Sequence, residues 1–177
     1  MADFPGVVDR TPNLALSSLS EASPLSDVCV GTGATASAAI WPTANTAIYM
    51  PVILQVPATV FRMAFYVAVQ SGNIDVGIYD ELGNRLVSSG STVVDVAGIQ
   101  IVDITDTPLT PGVYYLAMCC DNITASFHRV SPGTNFLRMA GMVSQAVGAV
   151  TLPNPATFAA GVTGYAPVLT ASLVATI

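Results

Sequence analysis

The chain has 177 residues, enough for one domain with a substantial core and short for two. Only 9% of its residues are charged and 52% are apolar, against roughly 25% charged in an ordinary soluble domain, so the chain either lies in a membrane or gives much of its surface to partner subunits. The net charge of −6 and the scattering of Arg10, Arg62, Arg85, Arg129 and Arg138 argue against nucleic acid as the main partner, while Pro153, Pro155 and Pro167 break the charge-free stretch after Arg138 that would otherwise suit a membrane span of ~20 residues.

Residues 1–27 read as an extended N-terminal arm ahead of a single domain over residues 28–177. The opening Met-Ala-Asp-Phe-Pro-Gly has neither the basic nor the apolar region of a signal peptide, which fits a protein made in a reducing cytoplasm. Pro5, Gly6, Pro12 and Pro24 interrupt the arm, serines crowd Ser17 to Ser26, and Leu14-Ala-Leu-Ser-Ser-Leu19 suits a short strand or a helical turn. Its apolar residues are too few to fold alone, so it is expected either to be ordered by a neighbouring subunit or to lead as a plain strand into the sheet. Residues 28–45 are rich in Ala, Thr and Gly and read as a loop or weak strand packed closely on something else. Gly31-Thr-Gly33 lacks the lysine that a Walker-type phosphate loop needs.

From Ala47 the strand signal strengthens. Ala47–Leu54 and Val60–Gln70 are rich in Val, Ile, Phe and Tyr, and strict alternation puts Phe61, Met63, Phe65, Val67 and Val69 on one face. A hairpin follows. Ile74, Val76 and Ile78 alternate with Asp75, Gly77 and Tyr79, Glu81-Leu-Gly-Asn84 makes the turn with Gly83 and Asn84 suited to positive φ, and Arg85–Ser89 returns. Ile99–Thr105 predicts a strand with Val102 and Ile104 on one face and Ile101 and Asp103 on the other. Pro108 and Thr110-Pro-Gly112 predict turns. Val113–Cys120 is a near-continuous apolar run, as in a strand buried on both faces. Ser126–Val130 is expected to pair back, residues 135–149 suit one short helix or a loop, and the alternating segment 168–177 predicts a terminal strand. About eight strands with turns between them predict an all-β chain, an antiparallel β-sandwich of jelly-roll type.

The side chains that carry chemistry are sparse. His128 is the one histidine, and no nucleophile elbow accompanies it. Asp75, Asp103 and Asp121 would have to converge to serve as a glycosidase pair; aspartates near turns more often bind backbone groups. Cys29, Cys119 and Cys120 show no metal spacing and read as small buried hydrophobes, with the adjacent Cys119 and Cys120 pointing to opposite faces of a strand. Asn122-Ile-Thr124 is a glycosylation sequon by pattern and reads as a turn. No enzymatic activity, cofactor or metal is expected.

The block Asn73-Ile-Asp-Val-Gly-Ile-Tyr-Asp-Glu-Leu-Gly-Asn-Arg-Leu-Val-Ser-Ser-Gly-Ser91, the block Leu109-Thr-Pro-Gly-Val-Tyr-Tyr-Leu-Ala117 and the small-residue segment Val30–Asn45 resemble β-sandwich domains of tailed-bacteriophage structural proteins. Similar segments occur in capsid decoration proteins, head fibres and tail or receptor-binding proteins. The resemblance implies a virion structural protein on the capsid surface: a decoration, or cement, protein that stabilises the shell, with the major capsid protein and copies of itself, as a homotrimer, for partners. Phe4, Val7 and Val8 in the arm, with Phe136 and Phe158 in later loops, are the expected contact residues. The alternative is a tail or head-fibre module recognising host glycans, for which Trp41, Tyr49, Tyr79 and Tyr165 are the candidate aromatics; core packing accounts for each of them as well.

Overall fold

A computed structural model describes residues 28–31, 37–131, 134–159 and 164–175. The expected arm, residues 1–27, lies outside the described residues. In chain order the strands are β1 (Val28–Gly31), β2 (Ala38–Ile40), β3 (Thr46–Leu54), β4 (Ala58–Val69), β5 (Asn73–Asp80), β6 (Arg85–Ser88), β7 (Thr92–Val93), β8 (Gly98–Leu109), β9 (Gly112–Cys120), β10 (Ser126–Val130), β11 (Val143–Ala146), β12 (Ala166–Pro167) and β13 (Leu169–Ala175), with one short helix, α1 (Thr134–Met139), before β11.

The strands form two antiparallel sheets. The first runs β1-β13-β4-β10-β12, with β8 pairing β4 and β2 pairing β10; the second runs β11-β3-β9-β5-β6, with β7 pairing β5. The chain crosses from one sheet to the other between β2 and β3, β3 and β4, β4 and β5, β7 and β8, β8 and β9, β9 and β10, β10 and β11, and β11 and β12, so the two sheets of the sandwich are wound together from alternating stretches of the chain. The main core lies between the sheets. Ile48, Met50 and Val52 of β3, Ile74, Val76 and Ile78 of β5, and Leu116 and Met118 of β9 pack there against Val60, Met63, Phe65 and Val67 of β4 and Leu169, Ala171 and Leu173 of β13. Trp41 closes one end, edge-on to Phe127 and to Tyr165, with its indole N–H donated to the Thr46 carbonyl.

The apolar run Val113–Cys120 forms the centre of the second sheet, hydrogen-bonded to β3 on one side and β5 on the other. From Tyr114 onward both its faces are covered, which is why its sequence shows no polar alternation, while Val113 at the start of the run is exposed. Cys119 and Cys120 are both buried and free; Cys120 joins the main core and Cys119 a second cluster on the far side of the sheet. Burial pushes the Cys120 thiol up to about 11 and the Cys119 thiol up to about 12, so both behave as apolar side chains. Pro51 stands past the last pair between β3 and β11, on a stretch with one free edge, where a strand tolerates proline.

Several expectations need correction. Strict alternation through Val60–Gln70 fails at Phe61, because Leu173 pairs with Val60 and Ser172 with Arg62, leaving Phe61 as the extra residue of a β-bulge. The phase flips there, so Val60 and Met63 both face the core while Phe61 does not; Val69, the last residue of the strand, is exposed although it keeps the phase of Met63. Pro108 does not end its strand; β8 continues to Leu109 and turns at Thr110-Pro111. Residues 135–149 contain both the helix α1 and the strand β11, two short elements whose periods mask each other. In the hairpin turn Gly83 takes positive φ as expected, but Asn84 does not; among the described residues the non-glycine residue in that region is Asn45.

Candidate functional site

The outer faces of the two sheets are finished differently, and that difference locates the candidate site. The outer face of the second sheet is closed. The connection after β11 folds back over it, so that Leu152 packs with Ala47, Tyr49, Tyr79, Ala117 and Cys119 in a second buried cluster. Tyr49 meets Tyr79 and Phe158 edge-on with ring centroids 5.2 and 5.1 Å apart. Gly77 allows the approach: a Cβ there would lie 2.6 Å from the Val87 carbonyl and 3.0 Å from Leu152.

Polar contacts hold the connection in place. Asp75, fully buried, accepts the Leu152 N–H at 2.8 Å and the Ser89 hydroxyl at 3.2 Å. Arg85 donates to the Leu152 carbonyl and its backbone N–H to Asn154 Oδ1. Tyr79 donates to the Pro153 carbonyl at 2.5 Å, and Ala156 N–H to the Gly83 carbonyl at 2.8 Å. The Gln145 side-chain oxygen accepts both the Tyr49 hydroxyl and the Thr157 N–H. Burial pushes the Asp75 carboxyl above the ordinary aspartate value, with the hydrogen bonds and Arg85 pulling the other way. Burial likewise raises the Tyr49 and Tyr79 hydroxyls. The donors that Asp75 accepts serve to pin the chain, and the cluster is a clasp.

Among the described residues the outer face of the first sheet is open. Cross-strand pairing sets Tyr66 of β4 beside Ile99 of β8, and Ala64 beside Ile101 on one side and Thr170 of β13 on the other. Ile99 and Ile101 are 60% and 55% exposed, Tyr66 38% and Val174 of β13 53%. The His128 ring lies 4.1 Å from that of Tyr66, centroid to centroid. Ala64, Tyr66, Ile99, Val168 and Thr170 line a shallow apolar depression. Scattered exposed apolar residues are ordinary; a row of them across adjacent strands marks an interaction surface.

The edge beside this face is also open. Among the described residues β8 pairs only with β4, so its other edge presents unpaired N–H and C=O groups. One half is guarded by Asp103, Asp106 and Pro108, the devices that blunt a strand edge. The half Gly98-Ile-Gln-Ile-Val102 carries neither charge nor proline.

The expected residues fall as follows. Trp41, Tyr49 and Tyr79 are fully buried and Tyr165 nearly so; each has its ring in packing contacts, so none presents a face to solvent. Phe158 is half-buried and meets Tyr49 edge-on and Tyr115 at a tilt as part of the closed face. Phe136 lies in α1, its side chain outside the described residues, as are Phe4, Val7 and Val8. Asp75 is enclosed under the connection and Asp103 stands on the other sheet. Asp121 accepts the backbone and side-chain N–H groups of Asn73 and the Asn122 amide. Burial pushes its carboxyl up, but these hydrogen bonds outweigh it and leave it below the ordinary value. Asn122 Oδ1 caps the N–H groups of Thr124 and Ala125, so the sequon is a structural turn. Among the described residues no cluster of three or more His, Cys, Asp or Glu side chains is placed to hold a metal ion, and no helix is long and apolar enough to cross a membrane. The open face was legible only in part: the alternation placed Ile101 opposite in phase to Val102, but the sequence did not show that no other described residues cover it.

Compared with protein-family models, curated proteins and solved structures, the chain matches none.

Proposed function

We propose that the chain is a structural protein of a bacteriophage particle, a capsid decoration protein that binds the outer face of the major capsid shell as a homotrimer and stabilises it without catalysing a reaction. The observation that carries this reading is the open face around Tyr66, Ile99 and Ile101, on a protein in which only 9% of residues are charged. A surface so poor in charge gains free energy when it is covered, at about 25 cal/mol per Å² of apolar area before the costs of association. The acidic balance suits a position outside a shell, away from packaged DNA. The resemblance of the 73–91 and 109–117 segments to virion β-domains supports the same class, and the clasped sandwich supplies a rigid body on which to carry a docking face.

The test is to measure copy number in intact particles by quantitative mass spectrometry and to locate the chain by electron microscopy. A decoration protein is present in simple proportion to the shell subunits and sits on their outer surface. Occupancy confined to a single vertex or to a tail overturns the reading.

A further inference from the structure

We infer that residues 13–19 of a second copy of this chain add as a strand to the free edge of β8, beside Ile99 and Ile101. This deepens the assembly reading and rests on copies of the chain meeting one another.

The unguarded half of β8 and the segment Asn13-Leu-Ala-Leu-Ser-Ser-Leu19 match in three ways. First, the edge offers unpaired backbone groups along residues 98–102, and the segment has no proline between Pro12 and Pro24 to prevent pairing. Second, the periods agree. Ile99 and Ile101 point outward two residues apart, and Leu14 and Leu16 have the same spacing, so an added strand extends the row Tyr66–Ile99 by a leucine. The alternate positions, Asn13, Ala15 and Ser17, are small. Third, neither stretch carries a charge, so pairing buries no unmatched ion.

The place where the arm joins the sheet favours a second copy over the chain's own arm. Val28 begins β1, which pairs with β13 at the edge opposite β8. To reach its own β8 edge the arm would cross the whole sheet and climb it, a path of about 25 Å at roughly 4.8 Å per strand and 3.3 Å per residue, against a fully extended reach of about 30 Å from Leu19 to Val28. Such a path leaves little slack over a twisted face.

The experiment uses the full chain with p-benzoylphenylalanine in place of the exposed Ile101, mixed in equal amounts from light and isotopically heavy preparations. Ultraviolet cross-linking followed by mass spectrometry reads both the partner segment and the copy it came from. The expected product joins position 101 of one isotopic form to residues 13–19 of the other. In parallel, Leu14→Asp/Leu16→Asp weakens self-association at least about tenfold in sedimentation velocity, since the two leucines that extend the apolar row beside Ile99 and Ile101 are replaced by charges. Links confined to one isotopic form, or links from position 101 to β8 or any other segment of a second copy, overturn the inference while leaving the assembly reading standing. A chain that sediments as a lone protomer overturns both.

Discussion

Asp75 is the most exacting point of the clasp, and its replacement separates two costs that structures usually combine. In Asp75→Ala the Leu152 N–H, now bonded at 2.8 Å to a fully buried carboxylate, loses its acceptor. An orphaned buried donor costs about 1–3 kcal/mol, which for a chain of this size lowers Tm by very roughly 2–12 °C. Asp75→Asn keeps an oxygen for Leu152 and offers its amide to Ser89 Oγ, whose own proton goes to the Gly90 carbonyl at 2.9 Å. The asparagine therefore keeps the geometry and removes the buried charge. Because burial raises the folded-state value of Asp75 above the ordinary 3.8, the native state holds its proton where the unfolded chain has released it. The stability contributed by Asp75 is then full below 3.8 and is lost as pH rises through the folded value. Urea denaturation of wild type, Asp75→Asn and Asp75→Ala at a series of pH values reads all of this. The asparagine variant gains on wild type as pH rises above about 4 and equals or exceeds it at pH 7, while the alanine variant is less stable than the asparagine variant at every pH. An alanine variant as stable as the asparagine one, or a gap between asparagine variant and wild type that narrows with rising pH, refutes the reasoning.

Asp121 behaves with the opposite sign: its folded value is held down by Asn73 and Asn122, so its contribution is present above the ordinary 3.8 and is lost as pH falls through the folded value, and Asp121→Asn flattens the acid limb of a stability titration. Gly72→Ala forces a side chain into φ +60° with its Cβ 2.0 Å from the Asn122 amide nitrogen and 2.2 Å from Asp121 Oδ1, a loss of at least about 2 kcal/mol in chemical denaturation. Trp41→Ala removes a fully buried indole packed on Phe127 and Tyr165 and costs about 3–5 kcal/mol by the same assay.

The sandwich was readable where local signals agree with the sheet. The 74–88 hairpin combines alternation, a turn glycine and a return strand, and 113–120 combines length with unbroken apolarity; both form as expected. The sequence was opaque where tertiary pairing overrides local period. The bulge at Phe61 comes from the register against β13, which no pattern inside β4 records. Pro108 reads as a terminator, yet it occupies the guarded part of an edge strand, where its missing N–H is harmless. The clasp was hidden because Asp75 and Leu152 are 77 positions apart and each looks ordinary alone. The open face was hidden for the converse reason: Ile99 and Ile101 have the same apolar character as core residues, and only the layer arrangement shows which side of the sheet is left uncovered.

The most direct test of the account is sedimentation velocity of the purified full chain over a wide concentration range, beside Ile99→Lys/Ile101→Lys. These positions are exposed, so the variant folds with an unchanged far-ultraviolet spectrum. The account predicts a defined homo-oligomer for the wild type and a monomer for the variant. A wild-type chain that remains a single protomer at high concentration, indistinguishable from the lysine variant, contradicts it.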